Sequence, residues 1–328
     1  MGTREKLLSL LEQNRDRYLS GEEIAGLLNV SRTAVWKAVN SLRAAGWDVD
    51  AVSRRGYRLA AGTDVLSDAG IRKYLEPEWS GLTLEVLPET ASTNDFLKEK
   101  AASGAPEGYV VTAGSQTAGK GRTGRSFFSP ADTGVYLSLL LRPARYTPQQ
   151  AVRLTTMAAV AACEAVSELT GEQAMIKWVN DIFLHGCKVS GILTEAALSL
   201  ESGFLDFAVL GVGFNVYPPR GGFPEELRSV AGSVFPSPRS DGKNSLAAAF
   251  LNRFFRCYTA PEDSAWTEEY RKRSLVVGKR ILVLLADGQR EAEALDVDEN
   301  CRLLVRYDDG TEERLTAGEI SILPLQTE

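Results

Sequence analysis

Residues 114–141, GSQTAGKGRTGRSFFSPADTGVYLSLLL, decide the fold class, because their opening fits two familiar patterns and their continuation fits neither. Residues 114–120 spell the start of a phosphate-binding P-loop, and Gly119, Gly121 and Gly124 spell the G-x-G-x-x-G of a dinucleotide fold. A P-loop needs Ser or Thr after its lysine to ligate magnesium, whereas Gly121 follows Lys120 here. Both motifs also need a helix whose N-terminus receives phosphate. Instead Gly124, Phe127, Phe128 and Pro130 lead into the apolar run 135–141, which reads as a strand. The loop therefore joins strand to strand. A bare mobile hairpin would explain the glycines but not the cations Lys120, Arg122 and Arg125 threaded through them. Together these point to an anion clamp formed partly by backbone N–H groups.

On either side, LTLEVLP (82–88), GYVVTAGS (108–115), MIKWVND (175–181), GCKVSGILTEAAL (186–198) and DFAVLGVGFNV (206–216) read as further strands. The last is apolar on both faces and belongs at the centre of its sheet. Helices are expected from Ser92-Thr93, near Thr147 and near Ser245. IKWVND gathers Lys177, Trp178, Asn180 and Asp181 at a strand end, and Lys188 and Gly191 follow after a tight turn. Taken singly, the two lysines read as exposed strand residues. ASTNDFLKEK (91–100), taken singly, is a helix start in which Ser92 is the cap and Asp95 a capping-box-like partner.

The N-terminal stretch carries a different signal. Leu7, Leu10 and Leu11 stripe a first helix, and Ile24, Leu27 and Leu28 are expected to face inward on a second. Asn29 and Val30 make a short turn, and Ser31 caps a third helix whose Val35, Ala38, Val39 and Leu42 recur at i, i+3, i+4 and i+7. Its other face displays Arg32, Thr33, Trp36, Lys37 and Asn40. A hairpin then runs from Trp47, Val49 and Ala51 through Ser53-Arg54-Arg55-Gly56 to Tyr57 and Leu59. This is a winged helix-turn-helix, with Ser31, Arg32, Thr33, Trp36, Lys37 and Asn40 placed for the major groove and Arg54 and Arg55 for phosphate or minor groove.

Charge supports that division. Residues 1–62 carry a net +3, and the remainder of a chain whose total is −6 is therefore strongly acidic, so only the small module is expected to meet nucleic acid. Residues 60–68, AAGTDVLSD, read as a linker. Beyond about residue 276, short strands separated by Asp-Gly and Glu-Asn turns read as a small β-barrel. Four scattered cysteines and a single histidine, His185, make a disulfide framework or a protein-held metal unexpected. The charged, helix-periodic start and the absence of a long apolar run lead to the expectation of a cytoplasmic protein without membrane spans.

Taken in order, STNDFLKEKA, SQTAGKGRTGRSFFSP, VYLSLLLRP, KWVNDIFL, KVSGILTE and GVGFNV resemble the biotin–protein ligases. SRTAVWKAVNSLRAAGWDVDAV…GYRL resembles their bifunctional, DNA-binding subgroup, the biotin operon repressors. The resemblance spans essentially the whole chain. It implies an α+β protein with a winged helix-turn-helix domain (1–62), a mixed α/β catalytic domain like the class II synthetase-like biotin ligases (63–272) and an SH3-like β-barrel (273–328).

It further implies ATP-dependent formation of biotinyl-5′-AMP and transfer of biotin to a lysine of a biotin carboxyl carrier protein, with Mg2+ accompanying ATP. Operator DNA and a homodimer promoted by the adenylate are the other implied partners. By the same resemblance Ser92, Thr93, Asn94 and Gln116 contact the biotin ureido ring and its surroundings. Gly119, Lys120, Gly121 and Arg122 follow the valeryl tail and carboxylate, while Lys188, Gly191 and Leu193 complete the pocket. Arg125, Asn180 and Asn215 lie on the adenylate side. Arg122, Lys188, Lys177 and Asp181 are the implied catalytic groups, Asp181 as acceptor of the amine proton. Three positions depart from the family pattern: Val179 replaces a common proline, Lys120 a common arginine and Phe127 a frequent tryptophan. A lipoate–protein ligase and a biotin sensor without catalysis are the alternatives.

Overall fold

The structure is a computed structural model that describes residues 2–143, 146–199, 201–260, 266–285, 288–316 and 318–322. Asp287 of the first expected Asp-Gly turn and the last six residues of the expected barrel domain lie outside that set. The chain forms two compact units, one of Met1–Ser80 with Ser237–Ala249 and the other of Gly81–Pro236 with Phe250–Glu328.

In the first unit, α1 (Thr3–Gln13), α2 (Gly21–Leu28) and α3 (Arg32–Ala44) precede a hairpin of β1 (Val49–Val52) and β2 (Gly56–Leu59). Ser20 and Ser31 cap α2 and α3 by accepting from the amides of Glu23 and Ala34, and Asn29 between them is left-handed at φ 53°. Leu7, Leu11, Ile24, Val35, Val39, Leu42 and Leu59 form the core. Leu27 departs from expectation at 60% exposed. An eight-residue helix buries one narrow stripe, and Ile24 fills it.

A short helix, α4 (Asp68–Arg72), and the start of α7 (Gly242–Thr259) complete this unit through a buried polar network. Arg15 pairs with Glu12 (2.7 Å) and with Asp241 (3.1 Å), which also meets Lys73 (3.3 Å) and accepts from Tyr74 Oη (2.7 Å) and Asn244 Nδ2 (2.8 Å). Burial pushes the Glu12 carboxyl above its ordinary value, against the pull of Arg15.

The second unit is built on a seven-stranded sheet ordered β3-β4-β5-β9-β8-β7-β6. Its strands are β3 (Thr83–Leu87), β4 (Tyr109–Ala113), β5 (Gly134–Leu141), β6 (Met175–Lys177), β7 (Asp181–Leu184), β8 (Cys187–Leu198) and β9 (Leu205–Asn215). Only β3 and β4 are parallel. β9 takes the central place that its two-sided apolar pattern demands. Helix α5 (Thr93–Ala102) packs on β4, β5 and β9, whereas the apolar α6 (Ala151–Thr170) packs on β6 to β9.

The expected strand 175–181 is interrupted. β6 ends at Lys177, and the chain turns through buried Trp178 and Val179, joined by a cis peptide, before Asp181 opens β7. Tertiary anchors win over strand propensity here. Trp178 Nε1 donates to the Cys301 carbonyl (2.9 Å), and Tyr270 of α8 (Trp266–Lys272) donates to the Val179 carbonyl (3.1 Å). Cys301 precedes β12 of the C-terminal antiparallel sheet, ordered β13-β12-β11-β10-β14. Its strands are β10 (Arg280–Leu285), β11 (Gly288–Val297), β12 (Leu303–Tyr307), β13 (Glu312–Leu315) and β14 (Glu319–Ile322).

Asp241→Ala leaves Arg15 and Lys73 without their shared buried carboxylate. The expected cost to the first unit is about 3 kcal/mol, read as faster amide hydrogen exchange in α1 of the full chain; unchanged protection would show that the network is dispensable.

Candidate functional site

The Gly-rich segment is stitched into the second unit by its backbone. Thr117 and Ala118 amides donate to the carbonyls of Thr90 and Ala91, and farther along Phe127 N donates to Gly119 O (2.8 Å) and Gly121 N to Arg125 O (2.7 Å). The result is a strand-to-strand loop with one short 3-10 turn, Arg122–Gly124, in which Thr123 is left-handed. No α-helix begins there, so neither the P-loop nor the dinucleotide geometry forms.

Under this loop lies a cleft of about 200 Å³. One wall is a buried hydrogen-bond chain. Thr93 donates to Gln116 Oε1 from its amide (2.9 Å) and its hydroxyl (3.0 Å), and Gln116 Nε2 donates to Ser129 Oγ (2.9 Å). Ser138 Oγ joins Thr93 Oγ1 and Asn94 Oδ1 from below, while Asn94 Nδ2 donates to Glu195 (2.8 Å). Ser92 caps α5 and lines the same wall. The sequence motif that looked like a plain helix cap thus also supplies a preorganised polar surface.

The floor is made by β8 and β9. A Cβ at Gly213 would run into the Phe127 ring, and one at Gly211 into the Asn94 amide. Those glycines create the depression that holds both side chains. Gly191 and Leu193 line the cleft beside them.

The opposite side carries charge. Lys177, Asn180 and Asp181 arrive on the Trp178–Val179 turn, and Lys188 lies 2.7 Å from Asp181 Oδ1. Arg122 Nη1 donates to Asn180 Oδ1 (3.2 Å), and Asn180 Nδ2 is in turn fixed to the Ile192 carbonyl (2.9 Å). Lys120 is held outward by Asp95 (2.7 Å), whose carboxylate also binds Lys98 (2.8 Å). Burial works to raise Asp95, but the bonds from Lys120 and Lys98 outweigh it and bring it below the ordinary value. Gly121 and Arg125 complete this rim.

Fourteen of the expected ligase-site positions therefore surround one cleft. Gly119 and Asn215 do not line it. Gly119 packs behind the wall, where a Cβ would stand 2.5 Å from the Phe127 carbonyl, and Asn215 Nδ2 reaches the Lys188 carbonyl (3.4 Å). Sequence reasoning missed Tyr136, which packs edge-on to Phe127 at 6.4 Å, and Leu284, Ile320 and Ser321 of the C-terminal sheet. The paired glycines of GVGFNV were the available signal for the floor. Nothing local marked the C-terminal residues.

In the first unit, a separate groove is lined by Arg32, Thr33 and Trp36 of α3 and by Ala51, Val52 and Arg54 of the hairpin. Lys37 is exposed and Asn40 half-buried on the same helix, and Ser31 serves as the cap. Of the two hairpin-tip arginines, Arg55 leans over the Tyr18 ring (5.8 Å), beside Arg58 (4.5 Å).

Residues 86–215 match the Biotin/lipoate A/B protein ligase family, residues 3–58 an HTH domain and residues 276–323 the Biotin protein ligase C terminal domain. The bifunctional ligase/repressor BirA of Bacillus subtilis is 34% identical over 94% of this chain and 95% of its own length. The Escherichia coli protein of the same name is 30% identical over 97% and 96%. Among solved structures, the biotin protein ligase from Aquifex aeolicus in complex with biotin and ATP is 26% identical, with a TM-score of 0.59 over 74% of this chain and 98% of that one. With its ligase cleft, its winged helix and a relative aligned along nearly its full length, the chain belongs to the biotin–protein ligases, in the group of bifunctional ligase/repressors.

Proposed function

We propose that this chain joins biotin to ATP as biotinyl-5′-adenylate, transfers the biotinyl group to a lysine of a biotin carboxyl carrier protein, and binds operator DNA as a biotin-responsive repressor. The observation that carries the ligase reading is the meeting, around one cleft, of a fixed polar wall (Thr93, Asn94, Gln116) with Arg122 and Lys188. The wall offers donors and acceptors to a neutral ureido ring; the cations face the anionic end of the substrate.

In the first step a biotin carboxylate oxygen attacks the α-phosphorus of ATP, and the bond to the bridging oxygen breaks to release pyrophosphate. Two anions must approach, so Lys188, Arg122 and Lys120 lower the barrier by neutralising the charge that concentrates between them. Magnesium would accompany ATP, held mainly by phosphate oxygens, and would supply further neutralisation of their charge. Arg125 and Asn180 serve the adenylate side, Lys177 adds a further catalytic cation, and Asn215, expected there as well, acts from behind through its bond to the Lys188 carbonyl. In the second step the acceptor amine attacks the anhydride carbonyl and AMP leaves. Asp181 takes the amine proton, and its pairing with Lys188 keeps both groups in place beforehand. The Gly-rich loop covers the labile anhydride and excludes water until the acceptor arrives.

The basic first unit reads DNA through α3 and the hairpin. One such module makes few phosphate contacts, so a homodimer on two half-sites, promoted by the adenylate, provides the needed affinity. Among the described residues no helix is long and apolar enough to cross a membrane.

Incubation with ATP, biotin and a carrier domain tests the ligase directly, and pyrophosphate–ATP exchange that follows lipoate instead of biotin would overturn it. Lys188→Ala is expected to slow adenylate synthesis on the order of 100-fold; near-normal synthesis removes Lys188 from the mechanism. Arg122→Gly breaks the tie to Asn180 and is expected to release adenylate faster, seen as biotin on bystander lysines. Sedimentation with and without biotin and ATP checks the dimer. Arg54→Ala should lower the slope of log affinity against log salt by about 1 for each copy bound.

A further inference from the structure

In the N-terminal half of α3 the exposed side chains are polar except at one position. Arg32, Thr33 and Lys37 are exposed, and Trp36 stands among them at 56% exposed. With Ser31 as cap, Trp36 falls in the N-terminal half of the helix, the part that meets base edges when such a helix enters a major groove. Its indole makes no hydrogen bond or ring contact among the described residues. The hairpin extends the apolar strip: Val52, 40% exposed, and Ala51 line the same groove, with Arg32 and Arg54 beside them.

Phosphate oxygens give an indole face nothing to pack on. The apolar groups a duplex presents are the sugar rims along its backbone and the 5-methyl groups of thymine on the major-groove edge. The indole N–H is a donor only, and thymine O4 and purine N7 are acceptors on that same edge. We propose that Trp36 is the specificity-determining residue of the DNA-binding unit, packing its ring on a thymine 5-methyl in each half-site, while Arg32, Lys37 and Arg54 hold the helix in register through phosphates. This rests on the reading of the first unit as operator-binding and names what that unit recognises.

The test uses the full chain with biotin and ATP. Binding sites are selected from a pool of random duplexes, then resynthesised with deoxyuridine replacing each thymine in turn, which removes the methyl and keeps O4 and the pairing. At one thymine per half-site, substitution should weaken wild-type binding about 4-fold, the worth of one buried methyl group. Trp36→Ala should bind the thymine duplex more weakly and be indifferent to deoxyuridine at that position. Arg54→Ala, as control, should weaken both duplexes alike. Equal weakening of both duplexes by Trp36→Ala would mean packing on sugar and would overturn the proposal, as would a deoxyuridine effect that persists in the variant. If no sequence is enriched by the wild-type chain, the operator-binding reading itself fails, and the role of Trp36 with it. Amide hydrogen-exchange protection in α1 and α3 of the Trp36→Ala chain, expected to match the wild type because the side chain is exposed, shows that the mutated unit is folded.

Discussion

The turn through Trp178 and Val179 is the constraint on which the cleft of the second unit depends. Both side chains are buried, and their polar groups are tied to Cys301 and Tyr270. A buried indole N–H or carbonyl without a partner costs about 1–3 kcal/mol, so these two bonds discourage any other path for the turn. Lys177, Asn180 and Asp181 are carried to the cleft by it, and Asn180 in turn fixes Arg122. The C-terminal sheet thus does more than add mass. By holding Cys301 it sets the position of groups more than a hundred residues earlier in the chain.

Three cations of the cleft have partners before any substrate arrives. Lys120 rests on Asp95, Lys188 on Asp181 and Arg122 on the Asn180 amide. Three unpaired cations in so small a space would repel one another and destabilise the loop. On the proposed mechanism, substrate anions would take the place of Asp95 and Asp181 at the two lysines and of the Asn180 amide at Arg122. Such exchange moderates affinity while preserving the geometry needed when charge develops on the phosphorus.

Much of this was legible in the sequence because local signals agreed with the fold. The residue after Lys120 and the strand after Pro130 ruled out both nucleotide-loop patterns, and the periodicity of α3 revealed the recognition helix. The errors have a common cause. Residues 175–181 look like one strand because Ile176, Trp178 and Val179 are strand-formers; what bends them is a contact with residues 270 and 301. Leu27 was assigned to the core from spacing alone, although an eight-residue helix buries only one stripe. Gly119 and Asn215 belong to motifs that do form the site, yet they support it from behind. Leu284 and Ile320 reach the cleft through tertiary packing that leaves no trace in nearby residues.

The buried network at Arg15 also bears on the order in which the protein can be made. Asp241 and Asn244 sit in the interior of the first unit but are synthesised after most of the second. As the chain leaves the ribosome, α1 to α3 can gather their apolar side chains, but Arg15 gains its second carboxylate only after about 240 residues have emerged. Until then the Arg15 guanidinium, just beyond the end of α1, is neutralised by Glu12 alone. The DNA-binding unit therefore reaches full stability late in synthesis, when all seven strands of the ligase sheet already exist, and a truncated product would be expected to carry a weakened winged helix.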